Sequence, residues 1–220
     1  MRTIRVTGKG QIKVKPDTTR ITMSLTDVFK EYADTLRHSS EDTEVLKEVL
    51  SGFGFERADL KTLSFNVDTE YESYRDKNND YKQRFVGYRF THTMKVEFVS
   101  DNDRLGKILY ALSNCSVKPE FRISYTVKEP EAAKNLLLGK AVTDAGEKAA
   151  VLTRAGGVKL KEIQSIDYSW GELDFEYRPM RGDMLVECGE APMAYKSCSL
   201  DIEPDDIEVS DTVTVVWEIE

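Results

Sequence analysis

The chain has 220 residues, 40% of them hydrophobic and 32% charged, with a formal net charge of −8. This composition belongs to an ordinary globular protein with enough residues to bury a sizeable core, in one large domain or two small ones. The acidic balance, with no basic stripe interleaved with aromatics, argues against nucleic acid as a partner, and no apolar run approaches the roughly 20 residues that cross a bilayer as a helix.

The N-terminal MRTIRV enters an alternating strand pattern directly, without the apolar stretch of a signal peptide. As given, the sequence therefore reads as cytoplasmic, with a periplasmic or envelope placement following if a leader has been removed. Gly8-Lys9-Gly10 comes next and raises the question of a phosphate loop. Such a loop needs G-x-x-x-x-G-K-[ST] opening a helix, whereas here Gln11 follows the second glycine and IKVK continues as a strand. The expectation is a bend or bulge at Gly8 and Gly10.

TRITMSL places Ile21, Met23 and Leu25 on one face of a half-buried strand. A helix is predicted from about Tyr32 to Leu50, with Ala33, Leu36, Thr43, Leu46 and Leu50 as its apolar side and GFGF as its stop. LKTLSFNVDTEY resumes alternation through Leu63, Phe65 and Val67 to Tyr71. YRFTHTMKVEF is the cleanest strand, with Tyr88, Phe90, His92, Met94, Val96 and Phe98 on one face. A short helix over 101–113 follows, capped by Asp101 or Asp103. FRISYTV is again a strand, and the longest helix begins near Pro130, carries a stripe of Ala132, Leu136, Ala145, Ala149 and Leu152, and ends at Gly156-Gly157. EIQSIDYSW and DTVTVVWEI are the last strands.

This order repeats. TRITMSL matches FRISYTV in residue type, and GFERADLKTLSFNV parallels GVKLKEIQSIDYSW. The fold class expected is α+β: two pseudo-repeated β-α-β-β units, with largely antiparallel sheet and helices packed on one side. A single domain over 1–220 would contain half-units at about 18–99 and 117–220, joined by the 101–113 helix. Two insertions interrupt the pattern, a polar hairpin loop over 72–84 with Asn78-Asn79-Asp80 as turn formers and a long stretch over 171–199. Loops as long as the second tend to serve a function, which makes it the first candidate for contact with a protein partner.

No residue set announces catalysis. His38 and His92 stand alone, without metal-ligand spacing, and read as structural. Cys115, Cys188 and Cys198 show neither a C-x-x-C pair nor a neighbour that would activate a thiol. The acidic stretches GELDFEY and DIEPDDIE lack the spacing of a calcium loop, and Arg181-Gly182-Asp183 is too short a match to carry an adhesion role. No catalytic, cofactor-binding or metal-binding residue is assigned, and no cofactor is expected. Tyr71, Tyr74, Tyr81, Tyr88, Trp170 and Tyr177 would line any cleft between the two halves, although aromatics on strands more often serve packing.

Several segments, taken in order, resemble the SIMPL-domain family, which includes the YggE-like and bacterial periplasmic immunogenic proteins. They are IRVTGKGQIKVKPDTTRITMSL, LSGFGFERADLKTLSFNV, GYRFTHTMKVEFVSDNDRLGKILYAL, KAVTDAGEKAAVLTRAGGVKLKEI and IEPDDIEVSDTVTVVWEI. The more specific features are Gly8 and Gly10 followed by Pro16-Asp17, the Gly87-Tyr88 strand start and the Ala-rich helix ending in Gly156-Gly157. The resemblance implies an α+β fold, no catalytic residues to carry over, ring-like or channel-like oligomers in at least one group, and a link to oxidative-stress resistance in the bacterial envelope. The expectation is thus a non-enzymatic, self-assembling homo-oligomer or protein-interaction module. The competing readings are a small-ligand binder or enzyme with its site between the halves, and a scaffold presenting 171–199 to a partner.

Overall fold

The computed structural model describes residues 2–168, 175–177 and 203–220. Along the chain it contains β1 (Arg2–Val14), β2 (Thr18–Phe29), α1 (Tyr32–Ser51), β3 (Lys61–Arg75), β4 (Tyr81–Val99), α2 (Asn102–Asn114), β5 (Glu120–Thr126), α3 (Pro130–Ala155), β6 (Leu160–Asp167), β7 (Glu176–Tyr177) and β8 (Ile207–Ile219). The paired strands run antiparallel, and the architecture is α+β. By internal contacts the described chain forms two compact units, one of residues 2–17, 125–168, 175–177 and 204–220 and the other of 18–124 with 203.

In the unit of 18–124 the strands lie in the order β3-β4-β2-β5. The last two residues of β5, Tyr125 and Thr126, belong to the other unit and pair there with Tyr177 and Glu176 of β7. The period-two pattern works as expected on β2 and β4. Ile21, Met23 and Leu25, with Phe90, Met94, Val96 and Phe98, are buried on one face against Leu46 and Leu50 of α1 and Leu105, Ile108 and Leu112 of α2. On the other face Glu97 takes Arg20 at 2.6 Å and Lys95 at 2.9 Å. Asp101 caps α2, accepting the Arg104 N–H at 3.0 Å.

The inner face of α1 differs from the predicted one. Thr35, Ser39, Leu46 and Leu50 are buried, while Leu36 is 40% exposed and Ala33 lies on the wet side. The buried Thr35 hydroxyl is satisfied because Oγ1 donates to the Glu31 carbonyl at 3.0 Å, and the half-buried Thr43 Oγ1 donates to the Ser39 carbonyl at 2.7 Å. The helix closes through Phe53 and Phe55 N–H groups on the Leu50 carbonyl, and Gly54 holds φ +79° in that turn.

In the other unit the order is β1-β8-β6, with α3 packed on the sheet. Gly8 and Gly10 make no bend: β1 pairs with β8 in unbroken register from Arg2↔Ile219 to Val14↔Ile207. Their role is close approach. A Cβ on Gly8 would sit 2.0 Å from the Ala141 carbonyl oxygen, and one on Gly10 2.2 Å from that of Leu137. The helix backbone rests directly on the strand, so its inner stripe is Leu137, Ala141, Ala145, Ala149 and Thr153. Leu136 and Leu152, expected in the stripe, are more than half exposed, because small side chains win where two backbones meet.

After β2 the chain runs α1-β3-β4 and after β5 it runs α3-β6-β7-β8, and the sheets do not divide into two equivalent sets. β2, β3 and β4 share one sheet with β5, whereas β6 and β8 lie in the other, where β8 pairs with both β1 and β6. The long ladder between β1 and β8 accounts for this, since it joins the two ends of the chain. The predicted loop over 72–84 is also mostly strand: β3 continues to Arg75 and β4 begins at Tyr81. Of the 171–199 insertion, the structure describes only Phe175, Glu176 and Tyr177; the rest, with Trp170, Cys188, Cys198 and Arg181-Gly182-Asp183, lies outside the described residues.

Candidate functional site

The feature that stands apart is the far end of the β3–β4 hairpin. Strand β2 stops at Phe29, opposite Tyr88, but β3 and β4 go on pairing as far as Arg75↔Tyr81. Among the described residues, 70–75 and 81–87 thus form a two-stranded arm with no third strand beside it. Gly87 marks its root, since a Cβ there would lie 2.2 Å from the Phe29 carbonyl oxygen. The register shifts between Glu70 and Tyr71, so Glu70 faces Gly87 while Tyr71 faces Phe85. This bulge brings Phe85 to the same side as Tyr88, which simple alternation would forbid.

The result is a row of rings. Tyr71 meets Phe85 at 5.8 Å between centroids, Phe85 meets Tyr88 at 5.3 Å, and Tyr88 meets Tyr32 of α1 at 5.4 Å, each edge to face. These contacts do not hide the row, for Tyr71 is 52%, Phe85 44% and Tyr32 50% exposed. Leu36, one turn along α1 from Tyr32, and Val86 add to the open apolar surface.

The tip is well ordered by polar chemistry. One Asp76 carboxylate oxygen accepts N–H bonds from Asn78 at 2.8 Å and Asp80 at 3.1 Å, and the other pairs with Lys82 at 2.6 Å. Lys82 and those two N–H groups hold the Asp76 carboxyl below its ordinary value. Asn79 supplies the left-handed residue of the turn, at φ 68°. Arg75 lies over the Tyr81 ring at 4.5 Å and donates to its hydroxyl at 2.6 Å. Nearer the root, Arg84 pairs with Glu72 at 2.6 Å.

Of the aromatics named from sequence, Tyr71 and Tyr88 meet in this row through Phe85. Tyr74 and Tyr81 lie further out on the arm, Tyr177 pairs with Tyr125 in the other unit, and Trp170 falls outside the described residues. Tyr32 and Phe85 escaped sequence reading. The Gly87-Tyr88 step was their signal, because a glycine in mid-strand suggests a bulge that re-aims what precedes it.

The remaining candidates have packing roles. His92 lies in the core between Thr43 and Thr62, and burial, with the Lys47 charge, lowers its pKa. His38 stacks on Phe29 at 4.3 Å and faces Glu41 at 3.3 Å. The Cys115 thiol donates to the Val117 carbonyl. At Gly8-Lys9-Gly10 the Lys9 N–H, which a phosphate would need, is taken by Asp144 at 2.7 Å. Among the described residues, no three His, Cys, Asp or Glu side chains converge as metal ligands, and no helix is long and apolar enough to cross a membrane. The chemistry the arm offers is contact through aromatic surface.

Comparison with known proteins gives a consistent result. The SIMPL family, described as a protein of unknown function (DUF541), matches residues 4–217. The chain is 27% identical over 219 residues to the 26 kDa periplasmic immunogenic protein of Brucella melitensis biotype 1, covering 98% of this chain and 84% of that protein. To the protein of the same name from Brucella abortus strain S19 it is 26% identical, with the same coverage.

Proposed function

The chain belongs to the SIMPL family, and from that premise we propose that it is a non-enzymatic, self-assembling protein whose copies meet through the β3–β4 arm. The observation that carries this reading is a two-stranded ribbon bearing Tyr71, Phe85 and Val86 in the open, beyond the end of β2. An isolated hairpin is marginal in water, and clustered exposed aromatics are typical of contact surfaces. Charge favours a second copy as the occupant. The arm over 70–87 holds four acids, Glu70, Glu72, Asp76 and Asp80, against four bases, Arg75, Lys77, Lys82 and Arg84, so it is neutral on a chain of net charge −8. Two copies approaching arm first avoid the repulsion that the rest of the chain imposes.

The relatives are named as periplasmic, which supports an envelope placement over the cytoplasmic one. A role in oxidative-stress resistance goes with this reading. Light scattering at micromolar concentration tests the assembly. The wild-type chain is expected to form multimers and Tyr71→Ser/Phe85→Ser a monomer with unchanged circular dichroism; a monomeric wild type, or a double variant that assembles equally well, overturns the proposal.

A further inference from the structure

β3 is an edge strand bonded on one side to β4, and all of it except Val67 and Glu70 is exposed. Between its two register shifts, at Thr62/Ser64 and at Glu70/Tyr71, the strand pairs with β4 without a break. Along that stretch alternate residues turn their N–H and C=O groups away from β4, and among the described residues nothing bonds them. The side chains alternate as well. Phe65, Val67, Thr69 and Tyr71 lie on the core side, where Phe65 meets His92 and Val67 packs on the cluster under α1. The opposite face is divided in charge: Ser64 and Asn66 toward the root are neutral, whereas Asp68, Glu70 and Glu72 toward the tip are acids.

We propose that β3 of a second copy lies antiparallel along this edge, with the two-fold axis at Val67, so that the root of the partner's strand completes the arm. The proposal rests on the arm reading and names what covers the arm. In an antiparallel pair the opposed residues share a face and a hydrogen-bonding state, which places the axis of a self-paired strand on a residue. With the axis at Val67, Asp68 faces the partner's Asn66 and Glu70 faces the partner's Ser64, so each carboxylate meets a hydrogen-bond donor. On the core side Phe65 lies beside the partner's Thr69. Leu63, 53% exposed, comes to the partner's Tyr71, 52% exposed.

Other registers do worse. An axis one residue toward the tip sets Asp68 on the partner's Asp68, and one two residues toward it sets Asp68 on the partner's Glu70. An axis at Asn66 leaves Tyr71 beside the partner's Lys61, and one nearer the root leaves more of the arm bare. Glu70 and Glu72 are already paired with Arg89 and Arg84 of β4, so two copies approach along this edge with little repulsion. The match is made within one stretch of strand, which favours a second copy over an unrelated segment. The order β3-β4-β2-β5 then continues into the partner's sheet, and the contact closes on itself.

Distances between spin labels test it, on the whole chain carrying Cys115→Ser, Cys188→Ser and Cys198→Ser. Labels at Ser64→Cys lie three residues from the axis on each copy and are expected about 20 Å apart; labels at Ser73→Cys, six residues from it, about 40 Å apart. A Ser73 distance shorter than the Ser64 distance, or no Ser64 distance near 20 Å in a multimer, overturns the pairing. Asn66→Asp, which sets an acid against the partner's Asp68, is expected to weaken assembly about tenfold, and adding Asp68→Asn to restore it. An Asn66→Asp chain that assembles like the wild type, or a double variant that is not restored, also overturns it. A multimer lost in Tyr71→Ser/Phe85→Ser whose Ser73 labels are the closer pair keeps the arm reading and defeats the pairing. One that survives that double variant with the Ser64 distance intact defeats the aromatic contact and leaves the pairing. A monomeric wild type defeats both.

Discussion

Two sheet edges in this protein are treated in opposite ways. The free edge of β1 is guarded by α3: Asp144 accepts the Lys9 N–H at 2.7 Å, and Lys140 reaches the Gln11 carbonyl at 3.4 Å. Among the described residues, no side chain guards the free edge of β3 in this way, and Leu63 and Phe65 on that strand are 53% and 42% exposed. An open edge with apolar side chains is a liability unless something pairs with it. The contrast teaches where the described chain covers its own backbone edge and where it leaves apolar side chains open.

The comparison breaks most readily at the guarded edge. Gly8→Val is expected to cost about 3 kcal/mol or more, because the new side chain meets the α3 backbone, which cannot retreat without opening the whole stripe. Urea unfolding measures it; a cost under about 1 kcal/mol would show that the strand and helix are not in backbone contact. Met94→Ala, 1% exposed under α1 and α2, should cost about 3 kcal/mol by leaving a cavity. At the open edge the same measurement should show almost nothing: Tyr71→Ser, compared with the wild type at a dilution where both are dissociated, is expected to change stability by no more than about 0.5 kcal/mol while weakening assembly.

A smaller effect concerns pH. The folded His92 has a lowered pKa, so the folded state binds fewer protons than the unfolded chain in the window below about 6.5. Its contribution to stability is whole above that value and is lost as pH falls through the folded midpoint. Melting temperatures measured from pH 7.5 to 5 should fall for the wild type more steeply than for His92→Gln; parallel curves would remove the histidine from the account.

Much of this was legible in the sequence where a single face decides burial. β4 from Phe90 to Phe98 alternates cleanly because helices cover one side of it. The same strand is bare from Tyr81 to Val86, and period-two reading cannot separate the halves, since cover comes from elsewhere in the chain. On α3 the error ran the other way. Leu136 and Leu152 look like core by hydrophobicity, but a helix pressed onto Gly8 and Gly10 selects for size, and alanine wins. The arm's aromatic row was half visible, as Tyr71 and Tyr88; Phe85 joined it only through a bulge whose position depends on the pairing register.

The central claim is that the β3–β4 arm is completed by a second copy of the chain. Amide hydrogen exchange of residues 71–75 and 81–86, measured over a dilution series, tests it most directly. The account predicts protection at concentrations where the protein is multimeric and loss of that protection as it dissociates, with the β1–β8 amides unchanged. Arm amides that exchange at the same rate at every concentration, while the mass of the particle changes, would contradict it.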